Sequence, residues 1–504
     1  MQQKSLNRRQ LLGGATGATA LAIGSPLFLS SCMSGSTVAL DQRHITQLRE
    51  TLDGTLLDRN DQGYELARRV GSFNPRTDFR PQAIVRCTST SDVQRTIRFS
   101  REHSLPLAVR GGGNDVLGQS SVDRGIVLDL SAMSDVELDD ETRNVKVDGG
   151  ALTGSVSGSL SPHGLAVPLA CNPIVGVGGL TLGGGMGWLV SSAGAACDNV
   201  VQIELIDAEG RLITVNAQSD PDLFWALKGG GGNFGVVTRF DYRTLELREA
   251  VTGFLVFPIA AAGEFLAAFD DLMDRAPREL TVELVLFDSG AGTFLAATVC
   301  FAGDPRNAAQ AIAPFRRVVS PIADTIQVQP YISVGQPTPE IMAAFPPVET
   351  PQEDLEAQAS GNSFNHWRGD SIARLSSDVI EVLLRAVETA PPGWSMGLGH
   401  CQRGAFVDFD PTSSSLPRTQ GSSSLFISAS WYREEMTAPS MAWVDRVMDE
   451  LRAYNMPQTY VNYLSSDAPS AVSAAYGPNY ARLSELKSRI DPENIFHGNR
   501  NIRS

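Results

Sequence analysis

The chain has 504 residues, 42% of them hydrophobic and 19% charged. That composition excludes a disordered or fibrous protein and predicts about two or three domains at roughly 100–200 residues each. The 41 Lys and Arg against 56 Asp and Glu give a net charge of −15. This excludes nucleic acid as the main partner, because phosphate binding needs basic surface, and six cysteines are too few for a disulfide scaffold.

Residues 1–31 read as an address. A polar start holds Lys4 and the pair Arg8-Arg9, and a run of Gly, Ala, Leu and Ile follows to Leu29. That layout predicts an export signal, and Arg8-Arg9 ahead of Leu11-Leu12 resembles a twin-arginine one. Leu29-Ser30-Ser31-Cys32 resembles a lipobox, so Cys32 is the expected lipid site and the only expected membrane contact. The expected location is periplasmic or extracellular. Glycines and Pro26 interrupt the apolar run, and no later stretch is apolar for 18 residues, which argues against a spanning anchor. Removing residues 1–31 takes three cations and no acid, leaving 38 basic against 56 acidic side chains and a net charge of −18.

Residues 32–44 read as a linker. The spacing over Ile45–Arg69 predicts helix, with a loop near Asp58–Gly63. Ala83–Val85 is a strand, Ser91 caps a helix running to about His103, and Leu107–Val109 is a strand ending in Arg110-Gly111-Gly112-Gly113. Short strands are expected at Gly125–Leu130 and Asn144–Val147, and a hairpin over 203–215. Ser219 caps a helix that stops at Gly229, and Gly235–Tyr242 is the next strand. Beyond about residue 250 the pattern changes. Strand-like runs (Leu255–Pro258, Thr281–Phe287, Leu425–Trp431) alternate with amphipathic helices (Ala262–Arg275, Asp378–Val387, Pro439–Tyr454). An antiparallel sheet with helices on one face suits this order. Pro411–Ser424 reads as an exposed loop, and Tyr480–Ile490 as a helix.

Glycine clusters carry the functional signal. Four lie between residues 111 and 232: Gly111–Gly113, Gly176–Gly179, Gly183–Gly187 and Gly229–Gly232. Glycine lets backbone approach a ligand closely, and exposed N–H groups in such turns cradle anions. Gly230–Gly235 literally matches a dinucleotide fingerprint, but a helix precedes it and a strand follows, the reverse of the required order. Gly393-Trp394-Ser395-Met396-Gly397, near His400, matches a hydrolase elbow without the required strand before the serine. The six His and six Cys show no metal-ligand spacing, so no metal is expected.

Three runs in order point further: VRGGGNDVLGQSSVDRGIVLDL from Val109, VGVGGLTLGGGMGWLVSSAGAACDNV from Val175, and PDLFWALKGGGGNFGVVTRF from Pro221. Tyr460-Val461-Asn462-Tyr463, Tyr476–Tyr480 and Asp491–Phe496 before Asn499-Arg500-Asn501 follow. Together these resemble the berberine-bridge-enzyme-like FAD-linked oxidases, of the vanillyl-alcohol-oxidase type. The resemblance is strong over 45–250 and 455–504 and only an outline between. It implies an α+β fold. A split FAD-binding domain (45–250 plus a returning C-terminal segment, 456–504) would enclose an inserted substrate domain (251–455), an antiparallel sheet covered by helices on one face.

The resemblance also implies residues. Cofactor contacts fall on Arg110, Gly111, Gly112, Gly113, Asn114, Asp115, Gly118, Asn172, Val175, Gly176, Gly178, Gly179, Gly183, Gly187, Asn199, Asn233, Gly235, Val236, Asn499 and Asn501. The family usually has a flavin-linked His where this chain has Asn114. A second link usually comes from a Cys, at the position of Asn172. FAD held noncovalently is therefore expected, and a thioether from Cys171, one place out of register, stays open. Val175 sits where a small residue leaves room for oxygen. Tyr463 is the expected catalytic residue, with hydride from an alcohol, sugar or related small molecule passing to the flavin and on to oxygen. A dehydrogenase using another acceptor and a noncatalytic FAD-fold lipoprotein are the alternatives.

Overall fold

A computed structural model describes residues 40–290, 292–336, 351–359, 363–399, 402–498 and 500–503. The export signal, Cys32, His400 and Asn499 lie outside the described residues.

In chain order the strands are β1 (Thr55–Asp58), β2 (Ala83–Arg86), β3 (Leu107–Arg110), β4 (Ile126–Asp129), β5 (Val136–Leu138), β6 (Asn144–Asp148), β7 (Leu165–Ala166), β8 (Val200–Ile206), β9 (Leu212–Val215), β10 (Val236–Arg243) and β11 (Leu245–Glu246). The second half adds β12 (Glu249–Pro258), β13 (Leu280–Asp288), β14 (Thr293–Phe301), β15 (Ala323–Asp324), β16 (Gln327–Pro330), β17 (Phe364–Ile372), β18 (Trp394–Gly399) and β19 (Ser423–Trp431). The first sheet runs β1-β2-β4-β3, with β2, β4 and β3 parallel. The second runs β5-β6-β10-β8-β9 and is antiparallel throughout. The third runs β15-β12-β14-β13-β18-β19-β17, with β16 also on β12.

Strand periodicity divides the third sheet into two faces. Leu284, Leu286, Leu398, Leu425 and Ile427 bury one face against Phe265, Phe269, Ile312, Val379, Leu383, Trp443 and Val447 from four covering helices. The alternate residues, Glu283 and Val285 of β13, Trp367 of β17 and Phe426 and Ser428 of β19, point away from those helices, into a cavity.

Several local expectations are corrected. Thr55–Asp58 is a strand inside the stretch read as helical, because a four-residue pairing with β2 overrides the spacing. A helix over Gln42–Thr51 begins inside the stretch read as linker, capped by Asp41. Ser89, not Ser91, caps the helix Thr90–Glu102, and Asp220, not Ser219, caps Pro221–Leu227. The stretch 411–424 is only partly exposed: Ser414, Ser415, Leu416 and Ser422–Ser424 are at most 3% exposed, while Pro411, Thr412 and Gln420 are exposed. Leu416 fills the space beside Gly184 and Gly229 that a side chain there would occupy. The hydrolase match falls on β18, a central strand, where Ser395 Oγ is 2.7 Å from Ser428 Oγ.

Candidate active site

The cavity encloses about 500 Å³, within the range of small-molecule and cofactor sites. Its floor is glycine backbone. β3 ends at Arg110, and the chain turns through Gly113 at φ +68°, a conformation that favours glycine. Asp115 Oδ1 accepts from the N–H groups of Leu117 and Gln119, both at 2.9 Å. A second loop, 171–176, crosses against the first. A Cβ on Gly112 would lie 2.4 Å from Gly176 N, so the two backbones touch where no side chain fits. Asn114 fastens the crossing by donating to Gly112 O (3.0 Å) and Ile174 O (2.8 Å).

The C-terminal segment closes the far side. Tyr460 OH accepts from Gly185 N, Met186 N and Asn462 Nδ2 at 2.9–3.3 Å. Ser465 Oγ accepts from Gly369 N at 2.6 Å, tying this segment to β17. Arg500 pairs with Asp115 and donates to Leu464 O.

The wall opposite the glycines comes from the third sheet. Phe426 lies across Gly397, where a Cβ would come within 2.0 Å of its ring. Trp367 meets Tyr463 edge-on at 5.3 Å between ring centroids, and Phe426 meets Tyr463 likewise at 6.4 Å. Glu283 stands among them, and Cys171 donates its S–H to Glu283 Oε1 at 3.2 Å. Burial, then the negative charge of Glu283, pushes both the Tyr463 phenol and the Cys171 thiol well above their ordinary values. Both hold their protons at neutral pH. Burial likewise pushes Tyr460 up to about 12.

Of the residues named from sequence, Gly111, Gly112, Gly113, Asn114, Asp115, Asn172, Val175, Gly176, Gly178, Gly179, Gly235 and Tyr463 line this cavity, with Cys171 beside them. The others lie off this lining. Arg110 turns inward and donates to Ser120 O and Ala67 O, bracing the loop from behind. Gly118 packs on Thr77, Gly183 abuts Asn462, and Gly187 abuts Leu169 O. Asn199 ties the carbonyls of Ala193 and Ala195. Asn233, fully buried, donates to Gly230 O and accepts from Ile502 N. Val236 is core. Asn501 lies off the lining, its buried Oδ1 without a hydrogen bond among the described residues.

Sequence reasoning missed Gln119, Glu283, Val285, Asn365, Trp367, Phe426 and Ser428. One signal was available for Glu283: a lone carboxylate inside an otherwise apolar strand.

The cavity fits FAD on its own evidence. It joins a glycine floor, with no side chains to obstruct a large ligand, to an aromatic wall. Two of its lining residues also carry buried polar atoms without a hydrogen bond among the described residues, Ser120 Oγ and Arg500 Nε. Comparison with known proteins agrees. Residues 81–216 match the FAD binding domain family, and residues 459–503 match the family described as berberine and berberine like. These matches make the chain similar to the berberine-bridge-enzyme-like FAD-linked oxidoreductases. It is 27% identical over 465 residues to (R)-6-hydroxynicotine oxidase of Paenarthrobacter nicotinovorans, covering 90% of this chain and 97% of the relative. It is equally identical, at 27%, to the FAD-linked oxidoreductase YvdP of Bacillus subtilis (strain 168), over 88% of this chain and 97% of that one. Among solved structures, 6-hydroxy-D-nicotine oxidase from Arthrobacter nicotinovorans superposes with a TM-score of 0.77 at 24% identity, covering 90% and 98% of the two chains. BBE-like 1 from Physcomitrella patens gives 0.75 at 21% identity, covering 90% and 97%. The chain has the α+β fold of these structures, and its FAD binding domain makes FAD its cofactor.

Proposed function

We propose that this oxidoreductase is an exported oxidase. It takes hydride from an alcohol, sugar or related small organic substrate onto noncovalently held FAD and passes the electrons to oxygen as hydrogen peroxide. The observation that carries the reading is one cavity holding both the glycine cradle and a wall with Tyr463, Glu283 and two aromatic rings. When bound, FAD supplies the two-electron acceptor. The protein's part is to bind, orient and move a proton. The glycine loops, Gly111–Gly113 and Gly176–Gly179, would hold the cofactor through backbone N–H groups. Trp367 and Phe426 exclude water and set the plane of the substrate. Tyr463 keeps its proton and orients the substrate as a donor, while the Glu283 carboxylate takes the proton that leaves with the hydride.

Asn114 and Asn172 support noncovalent binding, because an amide forms neither a histidyl nor a cysteinyl flavin link. Cys171 is held as a thiol by burial and Glu283, which disfavours the thioether. Val175 on the lining, and a relative named as an oxidase, support oxygen as acceptor. Export rests on residues 1–31 alone, and lipid attachment on Cys32 alone. Acid precipitation of the yellow protein tests the cofactor claim. Colour should pass into the supernatant, and colour staying in the pellet would refute it. Peroxide release in air, against dye reduction without air, separates oxidase from dehydrogenase.

A further inference from the structure

We propose that Arg76 is a positioning residue. Through Asp445 and the neighbours of Trp367 on β17, it holds the Trp367 indole as a partition between the cofactor cavity and a second, polar chamber. The inference concerns access to the cofactor and does not depend on the oxidase reading.

The second chamber encloses about 560 Å³, and its lining includes Arg76, His366, Arg368, Asp445 and Asp449. Gln119 and Trp367 belong to the linings of both spaces. A side chain with open space on two sides lacks the packing partners that fix a core residue. Trp367 meets Tyr463 and Phe426 edge-on, at 5.3 and 6.0 Å between centroids. Beyond those rings, its place depends on how its strand is held.

β17 ends the third sheet, with β19 on one side. Its other edge is fastened two residues before Trp367 and two residues after it. Asn365 N donates to Phe73 O at 2.9 Å, and Asn74 Nδ2 donates to Asn365 O at 3.0 Å. Beyond Trp367, Gly369 N donates to Ser465 Oγ at 2.6 Å. The segment that fastens Asn365 also meets the glycine floor. Gly71 N donates to Gly113 O at 2.8 Å, and Thr77 packs on Gly118. Residues 71–77 therefore run as a strap from the floor of the cavity to its wall.

Arg76 ties that strap to the covering helix Thr437–Leu451. Its guanidinium donates to both Asp445 oxygens, at 2.6 and 3.3 Å. The residues on either side of Trp367 meet the same carboxylate. His366 Nε2 lies 3.1 Å from Asp445 Oδ1, and Arg368 Nη1 donates to that oxygen at 3.3 Å. One carboxylate thus gathers the strap and both neighbours of the indole. A forked pair of this kind fixes an orientation. The Arg76 side chain is 58% exposed, so the pair adds little to stability. Its contribution is geometric: it keeps the partition in place and the water of the polar chamber away from the cofactor.

The test uses FAD-loaded protein and acrylamide quenching of flavin fluorescence, which reads access to the cofactor without turnover. Arg76→Met should raise the quenching constant about threefold or more as the partition loosens, while Tm moves by less than about 2 °C. Arg76→Lys keeps the charge and loses the fork, so its constant should fall between the two. In a Trp367→Phe background the partition is already reduced, and adding Arg76→Met should change the constant by less than about 1.5-fold. An Arg76→Met protein quenched like the wild type would overturn the inference. So would an equal fold-change with and without Trp367, which places the effect elsewhere, and so would a larger fall in Tm, which makes Arg76 a residue of the fold alone. No readout uses turnover, so the oxidase reading can fail while this inference stands, and the reverse.

Discussion

Gly179 separates a glycine kept for the fold from one kept for a ligand. It lies in the helix Val177–Leu182, on the cavity lining, exposed to that cavity. A Cβ there meets no described atom within 4 Å beyond its own neighbours and helix backbone. Without cofactor, Gly179→Ala should therefore stabilise the protein, by up to about 1 kcal/mol of helix propensity. For a protein this large that is a rise in Tm of about 1–2 °C. With FAD over the loop, the same methyl group meets the ligand. An overpacking cost of about 1–3 kcal/mol weakens binding by roughly 5- to 150-fold. Gly112→Ala is the counterpart. Its Cβ would stand 2.4 Å from Gly176 N, so the loops must part by about an ångström and both Tm and FAD affinity should fall. The assay is FAD titration of apoprotein by flavin fluorescence, alongside thermal melts of apo and holo forms. An unchanged FAD affinity in Gly179→Ala would refute the placement of the cofactor on this loop.

Other outcomes follow from the same geometry. Tyr463→Phe should lower kcat by about 10- to 100-fold without removing an ionisation between pH 6 and 10, because the phenol is held protonated throughout. A lost limb in the kcat profile would show the tyrosine acting as an anionic base. Lys487→Met should destabilise the protein by about 3–5 kcal/mol in denaturant titrations, since the buried amine donates to Asp491 Oδ2, Asn233 O and Phe496 O at 2.7–2.8 Å. Stability should also fall stepwise in acid. Burial holds His366 below its ordinary 6.5, so the unfolded chain gains a proton that the fold refuses as pH drops through that value. Asp445 is opposed by burial but drawn down to about 2 by hydrogen bonds from Arg76 and His366, so its contribution is present above 3.8 and disappears towards pH 2. Melts of Asp445→Asn should lose the second step, and an unchanged profile would remove this ion-pair group from the account.

The glycine floor was readable because its signal is local: clustered glycines flanked by apolar strands keep their meaning whatever packs around them. Several strands, among them Ala83–Arg86, Leu107–Arg110 and Val236–Arg243, and the helix Tyr480–Ile490 lie where the local pattern placed them. The departures of the structure from the sequence reading share a cause. Arg110, Asn199 and Asn233 sit in the expected loops, yet their side chains point into backbone that needed partners, and spacing alone does not reveal direction. The stretch 411–424 looks solvated by composition, yet Ser414–Leu416 are buried because glycines elsewhere leave a place for Leu416. Glu283, Trp367 and Phe426 come from three strands that meet only when the third sheet assembles, so no single run of sequence displays them together.

The tie between Arg500, Asp115 and Leu464 sets an order of events during synthesis. Residues near 111 and 176 leave the ribosome early, but the cradle lacks one side until the segment carrying Lys487, Arg500 and Ile502 has emerged and docked. Tight flavin binding is therefore expected only after that segment has docked. A chain stopped before Arg500 should take up FAD more weakly than the full chain, and flavin retention equal to that of the full chain would refute this order.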